Sequence, residues 1–246
     1  MTTTDFIISM FLGLSSFVNI IVPLGGSSVV TPLLALLTDP HRAIGLASFF
    51  FLLSGIVRVV VFQKNIVWKE VRLFFIPSLV MSVIGAFFLL SLPDRLLLIV
   101  IFLFVLYFLL SRLGFAFRSV PKKNGSQIFG FISASLSGFL QGTGLAGSDI
   151  RNGYLYAQKL NLAQVHGTSA LIGASNFFAA TIVRLFTGQI TLIDITPVMY
   201  TLPFLIAGTL LGRRVLYKLN QKTSDRIVVA TLSLTLILLI RKIWIA

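Results

Sequence analysis

Two short stretches, Pro23-Leu24-Gly25-Gly26-Ser27 and Gly144-Leu145-Ala146-Gly147-Ser148, interrupt long apolar runs at matching places about 121 residues apart. Proline removes a backbone donor and glycine favours non-helical backbone, so each stretch breaks what would otherwise be a plain apolar helix. Freed backbone groups find no partner in hydrocarbon. Such a break survives at membrane depth only when it is packed in protein or lines a wet cavity. A matched pair of broken helices in two halves of a chain points to the substrate site of a secondary transporter.

Composition identifies the runs as membrane segments. The 246-residue chain is 57% hydrophobic and only 11% charged, where a soluble domain carries roughly 25% charged residues. Apolar blocks fall at about 6–37, 43–63, 73–92, 96–117, 127–158, 164–187, 192–216 and 227–245. Roughly 20 apolar residues are enough to cross about 30 Å of hydrocarbon. The expected fold is an all-α polytopic membrane protein of eight blocks, in a cell membrane of the bacterial cytoplasmic type. In a soluble protein the net charge of +13 would suggest nucleic acid. Here it marks basic loops on one membrane face, so the expected contact is lipid and not nucleic acid. The chain has no cysteine, which excludes disulfides, thiolate metal sites and cysteine nucleophiles. The first basic residue is Arg42, so no cleaved signal peptide is expected.

The polar, turn-rich stretch Arg118-Ser119-Val120-Pro121-Lys122-Lys123-Asn124-Gly125-Ser126 divides the chain. It gives a first membrane repeat over 1–118, a linker over 119–126 and a second repeat over 127–246. The halves echo one another beyond the breaks: Gly45 answers to Gly167, Lys64-Asn65-Ile66 to Gly188-Gln189-Ile190, and Asp94-Arg95 to Asp225-Arg226. Charge then bears on orientation. With eight single crossings the basic loop residues divide nine against eight, and no orientation results. If blocks one and five turn back at their glycine breaks, Arg42, Arg95, Arg241 and Lys242 share one face and thirteen share the other. Thirteen against four obeys the positive-inside rule. Each repeat then makes an odd number of passes, the halves are inverted, and both termini lie outside the cytoplasm.

Arg58, Asp149 and Arg151 lie within apolar blocks, with Arg184 near a span end. Charges at membrane depth cost about 2.5–3.5 kcal/mol on insertion scales and are functional candidates by default. Asp149 and Arg151 fall in the second break. One reading is an anion site, with Arg151 as counter-charge and half-helix N–H groups assisting; the other is an Asp–Arg pair that only ties the break together. Arg58 and Arg184 can meet a ligand or snorkel to the interface. Block six carries His166, Ser169, Gly173, Asn176 and Ala180 at offsets 0, 3, 7, 10 and 14, one face of a helix. Block two shows Gly45, Ser48, Leu52 and Gly55 there, and small residues at this spacing serve close packing. Packing requires neither the His166 imidazole nor the Asn176 amide; His166 can bind substrate, relay a proton or simply pack.

The candidate binding set is therefore Gly25, Gly26, Ser27 and Ser48 in the first half, and Gly147, Ser148, Asp149, Arg151, His166, Thr168, Ser169 and Asn176 in the second. No cofactor and no enzyme activity are expected. His41 and His166 are far apart, and Asp149 alone among in-span acids cannot build a zinc site or a carboxylate dyad. Gly142-Thr143-Gly144 lacks the βαβ context of a dinucleotide fingerprint, and no Walker motif is present.

The chain resembles the sulfite exporter TauE/SafE family of bacterial and archaeal membrane proteins, also called the toluene sulfonate uptake permease family. The residues that carry this are Pro23-Leu24-Gly25-Gly26-Ser27, in place of a G-x-G-G-G segment, followed by Thr31-Pro32-Leu33-Leu34. A G-T-S triplet follows as Gly167-Thr168-Ser169, with Gly45-Leu46-Ala47 in the first half, and the turns at 64–66 and 188–190 recur. Pro23 and Ser27 replace family glycines, and Asp149 and Arg151 stand where many members have small or apolar residues. The resemblance implies export or uptake of a small anion such as sulfite, a sulfonate or a related sulfur compound, and leaves room for a homo-oligomer. The alternative is a non-transporting membrane protein acting as an assembly partner or complex subunit. Topology is tested by a single cysteine at Ser119, in a chain that has no native cysteine to remove. An impermeant thiol reagent should not label Ser119→Cys in intact cells and should label it once the membrane is opened; labelling in intact cells rules out the inverted arrangement.

Overall fold

The computed structural model describes residues 9–10, 12–13, 15, 26–113, 127–145, 147–215 and 221–245. Gly25, the rest of the first break before it and the 119–126 linker lie outside the described residues. Among the described residues there are ten helices and no strand: α1 (Gly26–Leu37), α2 (Pro40–Phe62), α3 (Trp68–Leu90), α4 (Asp94–Arg112), α5 (Gln127–Gly142), α6 (Ser148–Ala157), α7 (Leu162–Phe186), α8 (Leu192–Met199), α9 (Leu202–Val215) and α10 (Gln221–Ile245). A 3-10 turn, Gln63–Asn65, extends α2.

Long apolar helices begin at polar caps. The Asp39 carboxylate accepts the Arg42 N–H at 2.7 Å, with Pro40 opening α2. Asn161 and Gln164 form a reciprocal capping box at the head of α7, as do Thr191 and Asp194 at α8. Among the described residues, three helices are long and apolar enough to cross a membrane, Pro40–Asn65, Trp68–Leu90 and Leu162–Phe186. Helices α8 and α9 reach that length only as a pair, bent by 44° between them. That bend departs from the plain crossing expected of block seven. Pro203 has no N–H to continue the ladder, and Thr201 turns its hydroxyl onto Val198 O at 2.6 Å.

The apolar run of block five holds two helices, α5 and α6, with Gly144 between them at φ +71°. The opened backbone is satisfied by side chains: Thr31 Oγ1 donates to Gly144 O and Ser137 Oγ to Gly147 O, each at 2.8 Å.

The helices carry large apolar side chains outward and small or polar ones inward. On α3, Ile76, Val80, Ile84 and Phe87 are exposed, while Ser78, Ser82, Gly85 and Ala86 are buried. On α5, Ile128, Phe131, Ile132 and Leu136 face out, and Gly130, Ala134, Gly138 and Gly142, every fourth residue, face in. Water would penalise that polarity; lipid favours it, because small residues let helix backbones approach closely. A Cβ on Gly138 would strike Ser78 O, one on Gly142 would strike Ser82 O, and one on Gly85 would strike Phe139 O. The α3 and α5 backbones are therefore in direct contact. Packing also crosses between the halves: α2 lies along α7, where a Cβ on Gly55 would come within 3.0 Å of Ala174 Cβ.

Charged loops gather at one end of the bundle. Arg42 pairs with Asp194 at 2.9 Å, His41 Nε2 lies 3.3 Å from Asp94, and Lys242 donates to Thr38 O at 2.7 Å. At the opposite end of α2, the Val67 N–H donates to Thr168 Oγ1 at 3.0 Å. Because a backbone carbonyl cannot swing aside, Gly138→Val should destabilise by at least the roughly 1–3 kcal/mol typical of overpacking. The lipid-facing Ile76→Val should stay within about 0.5 kcal/mol. Thermal unfolding in detergent micelles measures both.

Candidate functional site

The second break positions the site. Helix α6 starts directly after it, with Gly147 at the N-cap supplying no side-chain cap. Arg151 follows one turn in and is buried, 2% exposed. Its Nε donates to Ser169 Oγ and its Nη1 to Gln141 Oε1, each at 2.9 Å. Neither bond goes to a carboxylate; Asp149 acts on Arg151 electrostatically from the same helix. Gln141 Oε1 accepts a second bond, from Asn176 Nδ2 at 2.7 Å. Asn176 Oδ1 accepts from Ser78 Oγ at 3.0 Å, and Asn176 O accepts from Ser82 Oγ at 2.8 Å. One amide oxygen with both lone pairs used thus joins α5, α6 and α7, and Asn176 extends the network to α3. Gly173 gives the guanidinium its room, since a Cβ there would lie 3.2 Å from Arg151 Nη2.

Three further basic side chains lie in the interior, Arg58, His166 and Arg184. Arg58 is half-buried, donates to Ser54 O at 3.3 Å and acts electrostatically on both Arg151 and His166. His166 stacks on Phe62 with ring centroids 5.5 Å apart, and its buried Nε2 has no hydrogen-bond partner. Arg184 is completely buried and donates through Nη2 to Gly142 O. Snorkelling therefore does not describe Arg184. Side chains on a helix lean toward its N-terminus, and this one reaches back along α7 to the broken end of α5, where terminal carbonyls carry the negative pole of the helix.

The structure brings Arg151, Ser169 and Asn176 of the sequence-derived set into one network. Asp149, Gly147 and Ser148 lie at the head of α6 beside it. Thr168 is engaged elsewhere, as the acceptor for Val67. Ser48 is buried and donates to Ile44 O on its own helix at 2.8 Å. Gly26 and Ser27 open α1. Sequence reasoning missed Gln141, Ser78 and Ser82. Ser78-x3-Ser82 carried a signal, a small-residue pair at helical period; the lone Gln141 amide carried none.

A multi-pass helical membrane protein with a cationic, hydrogen-bonded interior built at a broken helix is the class that this geometry defines. The family model of the sulfite exporter TauE/SafE matches residues 7–239, and the chain belongs to that family, whose members are membrane transporters rather than enzymes. No curated protein and no solved structure matches the chain.

Gln141 gives this network a direct test. Gln141→Leu strips the acceptor from both Arg151 and Asn176, and should cost at least the roughly 1.5–3 kcal/mol of one hydrogen bond to a charged group. Gln141→Glu keeps the acceptor and sets a carboxylate on the guanidinium. Its thermal midpoint in micelles should equal or exceed that of the native protein.

Proposed function

We propose that the protein is a secondary transporter of small anions, with sulfite, sulfonates and related sulfur-containing organic anions as substrates, in a bacterial-type cytoplasmic membrane. The observation that carries this reading is Arg151: a buried guanidinium held by neutral groups, so that its charge remains for an anion to meet. Arg58 adds positive potential, and the N-terminal N–H groups of α6 point the same way in chemistry. His166, with Nε2 unbonded, is the candidate for a further ligand contact or a proton relay.

Element order supports the inverted-repeat reading. In each half a short helix leads into a long capped one: 12 residues in α1 before α2, and 10 in α6 before α7. Lys242 lies with Thr38 and therefore beside Arg42, which eight single crossings would put on opposite faces. Two blocks that turn back at their breaks put them on the same face. Nothing comparable favours an assembly-partner role.

Flux into vesicles reconstituted with the purified protein tests the proposal. Radiolabelled sulfite or a sulfonate should enter saturably, Arg151→Lys should retain part of the rate because the charge stays though the fork is lost, and Arg151→Gln should reduce it at least about tenfold, the effect of losing roughly 1.4 kcal/mol. A folded Asp149→Asn, Arg151→Gln double variant that transports at the native rate would reduce Arg151 to scaffolding, since neutral groups can replace a purely structural pair. Absence of saturable flux for every anion, with folded protein, would overturn the transporter reading of this chain.

A further inference from the structure

Arg184 has no part in the Arg151 network, yet it is the largest fully buried side chain among the described residues. A guanidinium carries five N–H donors in a planar fork. Arg184 spends Nη2 on Gly142 O, while Nε and Nη1 are buried without any hydrogen-bond partner. One turn away on the same helix, buried Thr181 also leaves Oγ1 without a partner. Helical threonines ordinarily turn the hydroxyl onto a carbonyl of their own helix, as Thr209 does here at 2.7 Å. Residues three apart share a helix face, so two unmet donor nitrogens and an unmet hydroxyl lie together. Ala180 and Val183, which precede these two residues in sequence, pack with Ala86 in an apolar cluster and offer no side-chain acceptor. Buried polar atoms left open in this way call for a partner such as a water or an ion.

We infer that Arg184 and Thr181 form a second oxyanion-binding subsite, separate from that of Arg151. An oxyanion with two acceptor oxygens matches Nε and Nη1 as a bidentate pair, and a third oxygen accepts from Thr181. The two buried arginines are anchored on consecutive residues at the end of α5, Arg151 on the side chain of Gln141 and Arg184 on the carbonyl of Gly142. Arg184 lies two residues before the end of α7, toward the Arg42–Asp194 end of the bundle, and Arg58 lies four before the end of α2, toward the opposite end. The subsite is thus a second station for the same anion, on the Arg42–Asp194 side of the break. It rests on the anion-transporter reading for the identity of its ligand.

Equilibrium binding of radiolabelled sulfite to the purified full chain in detergent tests this without flux. Native protein should bind a second equivalent beyond the first, and Arg151→Gln should keep one of the two. Arg184→Gln should lose the other, with Arg184→Lys retaining it at reduced affinity. Thr181→Val, nearly isosteric, should weaken that equivalent about fivefold, the worth of roughly 1 kcal/mol for one hydrogen bond, and leave the Arg151 equivalent untouched. It carries the test if Arg184→Gln does not fold. Loss of all sulfite binding in folded Arg151→Gln, or native binding in Thr181→Val, overturns the subsite, whatever the flux. Two-site binding without flux would instead uphold the subsite and overturn the transporter reading.

Discussion

The contact between the α3 and α5 backbones is the constraint on which the interior depends. Gly138 and Gly142 lie against the carbonyls of Ser78 and Ser82, where any side chain would collide. Only at that separation do the Ser78 and Ser82 hydroxyls reach past α5 to Asn176 on α7. Only there does the end of α5 sit deep enough to hand Gln141 to Arg151 and Gly142 to Arg184. In lipid, where apolar burial drives helices together weakly, such close packing and interhelical hydrogen bonds are the available glue. Packing and chemistry therefore share the same residues.

The break after α5 frees carbonyls that hydrocarbon cannot solvate, and side chains meet three of them: Thr31 from α1, Ser137 from α5 itself, Arg184 from α7. A defect that would be ruinous in an isolated span becomes a junction of helices from both halves. The same break frees the N-terminus of α6 and brings Arg151 inward. The acceptors around that guanidinium are an amide and a hydroxyl, and Asp149 acts on it only electrostatically from the same helix. A carboxylate in either place would fix the geometry equally well and cancel the field.

Much of this was legible in the residues. Glycine and proline inside an apolar run announce a break on backbone grounds alone, and the 166–180 stripe announces a buried face by period. Asp39, Asn161 and Thr191 announce helix starts. The bend in block seven was announced by Pro197 and Pro203 and passed over. Gln141 was hidden for a different reason. A single amide in an apolar helix has no periodicity, and its partners Asn176 and Arg151 are 35 and 10 positions away, on other helices. The depth of Arg184 was hidden because hydropathy reports that a segment is apolar, not which way a long side chain leans within it.

Lys242, near the end of the last helix, donates to Ala35 O and Thr38 O where α1 finishes. With Arg42 on Asp194 and Gln189 on His41, the first and last parts of the chain are clasped across one mouth of the bundle. Any motion that parts the halves at that mouth must undo these contacts, several of them partly exposed and charged. Exposed charge pairs weaken as salt rises, whereas the buried amide network at mid-depth does not. The ionic strength of the solution bathing that end therefore sets how readily it parts, independently of the buried hydrogen bonds of the interior.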